Sequence, residues 1–195
     1  MGEDSLWFAK AGATVYAIDL VDSGLKIIKR RVAEAGLKQK VMNLRMRGEV
    51  LGFRDNCFDV VFVNAVFMHM NRAQLLAEMY RVLKPGGRVI FHEPLRNNLF
   101  AALYRYLLSE FSTTRPCYFK YREWRAAEKL FALGRSSGFF LLSMLFMPLF
   151  TRFKKVSRIR SIYTRSVKAE ARVLTRIPSL QRFCWIFVGE LVKSP

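Results

Sequence analysis

The sequence predicts an α/β fold in which a mostly parallel sheet is covered by helices on both faces. Two observations carry this expectation. Strand and helix signals alternate through residues 1–95. The clearest strand, Phe58 to Asn64 (FDVVFVN), is almost continuously apolar, as a strand buried on both faces must be.

Ser5 to Ala11 reads as a short helical piece ended by Gly12. Ala13 to Asp19 (ATVYAID) is a β-branched run bounded by glycine and an acid, hence a buried strand. Asp22 or Ser23 is positioned to cap the next helix, whose apolar residues Leu25, Ile28 and Val32 recur at helical spacing until Gly36 stops it. Lys40 to Met46 carries a weaker strand pattern. After Phe58–Asn64, Asn71 is a cap for a helix whose face is Leu75, Met79 and Val82. Lys84-Pro85-Gly86-Gly87 then turns the chain, since proline ends a helix and glycine permits positive φ. Arg88 to Glu93 (RVIFHE) is the next strand.

The second half is less regular. Leu99 to Phe111 and Arg122 to Leu133 read as helices, the latter closed by Gly134. Phe139 to Met147 and Phe183 to Val192 read as strands, with Pro148 at the exit of the first. Lys154 to Ile177 has separated faces. Val156, Ile159, Tyr163, Val167, Leu174 and Ile177 fall on one side; Arg158, Arg165, Lys168, Arg172 and Arg176 fall on the other. One reading is a lid helix packed on the core with its basic side solvated. The other is a helix docked on anionic lipid, against which Glu170 on the apolar side counts.

Composition bounds the function. The chain has 195 residues, 52% of them hydrophobic, which suits one domain, 1–195, with a sizeable core and argues against disorder. Cys57, Cys117 and Cys184 are odd in number and form no CxxC pair, so free thiols in a reducing cytoplasm are expected, and no metal site. No secretory signal opens the chain. The longest apolar stretch, Phe139 to Phe150, is shorter than the roughly 20 residues that span a bilayer. Net charge is +18, unevenly spread. Residues 1–95 carry 14 Lys/Arg against 10 Asp/Glu, whereas residues 96–195 carry 19 against 5. The second half therefore favours an anionic partner, whether phospholipid, nucleic acid or an acidic substrate.

Three segments together resemble the class I S-adenosylmethionine-dependent methyltransferases, within the group related to ubiquinone and menaquinone biosynthesis methyltransferases. They are Gly2 to Asp19 (GEDSLWFAKAGATVYAID), Glu49 to Asn64 (EVLGFRDNCFDVVFVN) with Ala65 to Met70 after it, and Arg81 to Pro94 (RVLKPGGRVIFHEP). The resemblance implies a Rossmann-like sheet with a helical insertion before the last strand. It divides the chain into a cofactor-binding part, 1–95, and a basic acceptor-side part, 96–195. It also implies S-adenosylmethionine as cofactor and a small, hydrophobic methyl acceptor. In the family the acid closing the second strand grips the cofactor's ribose hydroxyls, and Asp19 occupies that position. Gly2, Leu20, Glu49 and Asn64 fall at the other cofactor-binding positions. The family's first strand, ending in Asp-x-Gly-x-Gly, precedes Met1, so the chain is expected to be an N-terminally truncated domain lacking that strand.

His69 and His92 are the only histidines. His69 follows the Phe58–Asn64 strand, where the family places residues beside the transferred methyl, and is the catalytic candidate; a structural loop histidine is the competing reading. His92, inside a strand, reads as a packed side chain. Arg47 stands where the family usually shows an aspartate at the adenine amino group, and arginine accepts no hydrogen bond; Glu49 is the nearby substitute. Two other functions remain open from sequence. The charge fits a nucleic-acid-binding protein or RNA methyltransferase, although no RNP-type, KH or zinc-finger pattern is present. Arg47 and the missing loop fit an inactive remnant serving as an interaction module.

Overall fold

The computed structural model describes residues 2–108, 117–146, 152 and 157–194. The chain forms two compact units, Met1–Arg54 and Asp55–Pro195.

The first unit runs α1 (Glu3–Lys10), β1 (Val15–Asp19), α2 (Asp22–Glu34) and β2 (Val41–Arg45). β1 and β2 pair in parallel, from Val15 opposite Val41 to Asp19 opposite Arg45. Ala9, Ala17, Ile28, Val32 and Val41 form its core. Ile28 and Val32 lie one turn apart on α2, as their spacing predicts, while Leu25 is only half-buried. Gly36, at φ 70°, reverses the chain after α2. Neither Asp22 nor Ser23 caps that helix. Val21 occupies the N-cap in extended conformation, and Asp22 begins the helix proper. There its carboxylate favours the positive end of the helix dipole and meets Arg45 at 3.2 Å.

The second unit begins with β3 (Phe58–Asn64), a 3₁₀ turn (Phe67–His69), α3 (Arg72–Val82) and β4 (Leu83–Pro94). It continues with α4 (Leu99–Leu108), α5 (Tyr121–Ala126), β5 (Ala132–Phe139), a 3₁₀ turn (Ser143–Phe146) and α6 (Ser157–Arg176), closing with a 3₁₀ segment (Pro178–Phe183) and β6 (Ile186–Val192). The sheet order is β3-β4-β6-β5. β3 and β4 are parallel, whereas β6 runs antiparallel to both β4 and β5. Phe91 on β4 is the centre of the core. Phe67, Phe119, Trp124 and Phe187 contact its ring with centroids 5.4–5.9 Å away. Gly189 faces this cluster, and a Cβ there would lie 2.6 Å from Phe91 Cζ, so only glycine lets β6 approach.

Asn71 caps α3 as expected, accepting the Gln74 N–H at 3.3 Å, and Leu75, Met79 and Val82 are the buried face. Elsewhere the outcome differs. The Lys84–Gly87 segment lies inside β4, because Leu83 pairs with Phe58 and Gly86 and Gly87 exchange hydrogen bonds with Lys193. The helix expected over 122–133 stops at Ala126, with a 3₁₀ turn to Lys129, and Gly134 stands within β5 against the Glu190 side chain. The strand expected from Phe139 instead ends there. Phe140 takes φ 61°, and buried Asn98 fixes the exit: its Nδ2 lies 2.8 Å from Phe183 O and 3.2 Å from Phe140 O and Leu141 O. Its Oδ1 accepts the Ala101 N–H at 2.7 Å and so caps α4. Phe111, Met147, Pro148, Lys154 and Val156 lie outside the described residues. Cys57, Cys117 and Cys184 are free thiols. Among the described residues no helix is long and apolar enough to cross a membrane.

Candidate functional site

The predicted site residues are divided between the two units. In the Met1–Arg54 unit Asp19 and Leu20 stand at the carboxyl end of β1 and Glu49 in the turn beyond β2, on the side where ligands bind in open parallel sheets, while Gly2 caps α1. Asp19 closes β1, half-buried. Its Oδ1 accepts the Val21 N–H at 2.9 Å, and its backbone oxygen accepts the Met46 N–H at 3.2 Å. This Asx-type turn is why an acid ends the strand. Leu20 and Val21, next in the chain, leave 50% and 58% of their surface exposed, so an apolar step flanks the carboxylate. Beyond β2, Arg47 and Val50 form an isolated bridge. Inside that turn the Glu49 carboxylate, largely covered, lies 3.6 Å from the Arg47 guanidinium. Gly2 caps α1 at φ 79°, packed so tightly on α2 that a Cβ would sit 3.0 Å from Ile28 Cγ1.

In the Asp55–Pro195 unit the strand ends of β3 and β4 carry a polar pair. Asn64 Oδ1 and His92 Nδ1 lie 3.0 Å apart. His92 is thus a polar partner at a strand end, only half-buried, where the sequence reads it as packed. Ala65 follows at φ 56°, its N–H bonded to His92 O. His69 ends the 3₁₀ turn and is exposed.

The group that organises this turn is Glu93. Fully buried at the end of β4, its Oε1 accepts the Val66 N–H at 2.7 Å and the Phe67 N–H at 3.1 Å. Its Oε2 is buried and, among the described residues, has no hydrogen-bond partner. Burial pushes the carboxyl up to about 7, against the opposing pull of the two backbone N–H groups and Arg72. Arg72 holds the turn from its other side, donating from Nε to Phe67 O at 3.1 Å and pairing through Nη1 with Glu123. In the sequence Glu93 is only the last residue of the RVIFHE strand. The signal for more was an acid inside an apolar strand, a position that demands a local partner.

Residues 1–91 match the family described as "Methyltransferase domain". The methyltransferase GfsG of Streptomyces halstedii is 34% identical over 91 residues, covering 46% of this chain and 33% of that protein. The ubiquinone/menaquinone biosynthesis C-methyltransferase UbiE of a Marinomonas species is 35% identical over 80 residues, 40% of this chain and 32% of that protein. Over residues 1–91 the chain is therefore similar to the class I S-adenosylmethionine-dependent methyltransferases.

The matched stretch spans about a third of the length of these curated relatives. Solved structures resemble it throughout. The geranyl diphosphate C-methyltransferase of Streptomyces coelicolor superposes with a TM-score of 0.68 at 13% identity, over 98% of this chain and 67% of that one. The MccD protein gives 0.63 at 18% identity, over 97% and 84%. The cyclase SpnF gives 0.67 at 17% identity, over 99% and 71%. At these identities the likeness establishes the Rossmann-like methyltransferase fold and no particular reaction.

Proposed function

We propose that this chain serves methyl transfer from S-adenosylmethionine to a small, hydrophobic acceptor. The observation that carries the reading is the Asp19 carboxylate. The Val21 N–H fixes its Oδ1, which leaves the second oxygen to accept ribose hydroxyls at the tip of a parallel strand. The neighbouring residues fit the rest of a nucleoside. Leu20 offers exposed apolar surface to a base, and Glu49 offers an acceptor to an exocyclic amino group, which Arg47 lacks. Gly2 stands at the first turn of α1, whose amide hydrogens are donors for an anionic end of the ligand.

When bound, S-adenosylmethionine supplies a methyl group already activated on a sulfonium. The protein's task is then placement, which by itself lowers much of the barrier. Asp19, Leu20 and Glu49 orient the nucleoside in this reading. His69 removes a proton from an acceptor that must lose one. Glu93 and Arg72 are positioning residues, since they fix the turn that carries His69 and touch no reacting atom. The names of the relatives, tied to quinone biosynthesis and to geranyl diphosphate, support a hydrophobic acceptor.

Incubation with methyl-tritiated donor and fractionated cell extract tests this reading. Label in the organic-soluble pool is expected, and label confined to RNA or protein would contradict it. His69→Gln is expected to lower turnover by on the order of 100-fold or more with donor affinity unchanged. A loss of thermal stability with turnover intact would instead make His69 structural.

A further inference from the structure

The basic half of the chain concentrates exposed aliphatic side chains on one region of the Asp55–Pro195 unit. Leu99 and Leu103 on α4 are 76% and 52% exposed. Leu142, Leu145 and Phe146, at the 3₁₀ turn after β5, are 55%, 52% and 42% exposed. This turn contacts both α4 and α6, so the three elements are neighbours. Globular surfaces expose single leucines commonly, but a group on adjacent elements marks an interaction surface.

α6 supplies the charge. Arg158, Arg165, Lys168, Arg172 and Arg176 are all exposed, and among the described residues none of them enters a salt bridge. Its inner seam is held by buried Leu174, with Tyr163 and Val167 half-buried. Ile162 and Val173, three turns apart, are 56% and 43% exposed. On a helical projection they form a strip between that seam and the arginine row. Glu170, the helix's only acid, is already used: its Oε2 accepts the Leu142 and Ser143 N–H groups at 2.8 Å each. That bond removes the objection the acid raises in the sequence. It also ties the leucine-bearing turn to the arginine-bearing helix.

We propose that this face of α4, the 142–146 turn and α6 docks on the surface of an anionic phospholipid bilayer. Arginines would meet the headgroup phosphates while the leucines enter the acyl boundary. Nucleic acid would also attract the arginines. It gains nothing from bare aliphatic leucines, however, since single strands are held by aromatic stacking and duplexes by phosphate and groove contacts. The inference stands apart from methyl transfer, because neither the donor nor any of the site residues above takes part.

Flotation of the full chain with vesicles of phosphatidylcholine alone, or of phosphatidylcholine with phosphatidylglycerol, tests it. The chain should float with the anionic vesicles only. Arg165→Ala with Arg172→Ala should weaken that binding on the order of ten-fold or more, as expected for removing two interfacial cations. Leu142→Ser with Leu145→Ser should weaken it at unchanged net charge, and both variants should keep the wild-type melting curve. Absence of flotation with anionic vesicles would overturn the proposal. So would leucine variants that bind as wild type, or tighter binding to an RNA homopolymer that the leucine changes leave untouched.

Discussion

Replacing Asp19 by asparagine is expected to weaken S-adenosylhomocysteine binding by roughly ten- to a hundred-fold, as befits the loss of charge-assisted hydrogen bonds. The substitution keeps the carbonyl that accepts the Val21 N–H at 2.9 Å, so the turn after β1 survives. Asp19 makes no salt bridge among the described residues, since Arg45 pairs with Asp22. The melting temperature should therefore stay near that of the wild type. Asp19→Ala is the harsher test, because it also removes the turn's acceptor and costs about 1 kcal/mol. Isothermal titration of both variants beside their thermal melts separates ligand loss from unfolding. Equal affinity of wild type and Asp19→Asn would remove the ribose-gripping role.

Glu93 carries the second large effect, on stability. Truncation to alanine strands the Val66 and Phe67 N–H groups in a buried site and leaves a cavity. A loss of about 3–5 kcal/mol is expected, measured by denaturant unfolding followed at the tryptophans. Glutamine should be tolerated, since its carbonyl replaces Oε1 and the buried carboxyl needs no charge. The pH dependence follows with a definite sign. The folded-state value, about 7, lies above the ordinary 4.5, so the native state binds more protons between these values. The contribution of Glu93 is complete below about pH 4.5 and lost as pH rises to about 7, a difference of about 3 kcal/mol. Subtracting the Glu93→Gln profile from the wild-type profile isolates this term. A flat difference would mean that the carboxyl is not desolvated.

Local pattern made much of the first 94 residues legible. ATVYAID and FDVVFVN are apolar runs with clear punctuation, and both became strands ending at Asp19 and Asn64. Asn71 and the 75/79/82 face carried both the cap and the register of α3. The later elements depended on contacts between distant residues. Gly134 reads locally as a helix stop but sits in β5, because it faces the Glu190 side chain some fifty positions away. Phe139 reads as a strand start, yet Asn98 and the left-handed Phe140 make it a strand end. The site divides in the same way. Asp19 and Leu20 follow directly from where β1 ends, and Glu49 from the turn beyond β2. The Glu93 clasp needed the loop after β3 to fold back onto β4, and no spacing rule encodes that return.

Calorimetric titration of the wild-type chain with S-adenosylhomocysteine shows whether the Asp19 strand end holds a nucleoside. Saturable binding at one site per chain is expected, with the Glu49→Gln and Asp19→Asn forms both weaker. An absence of binding by a chain whose melt shows it to be cooperatively folded would contradict that role.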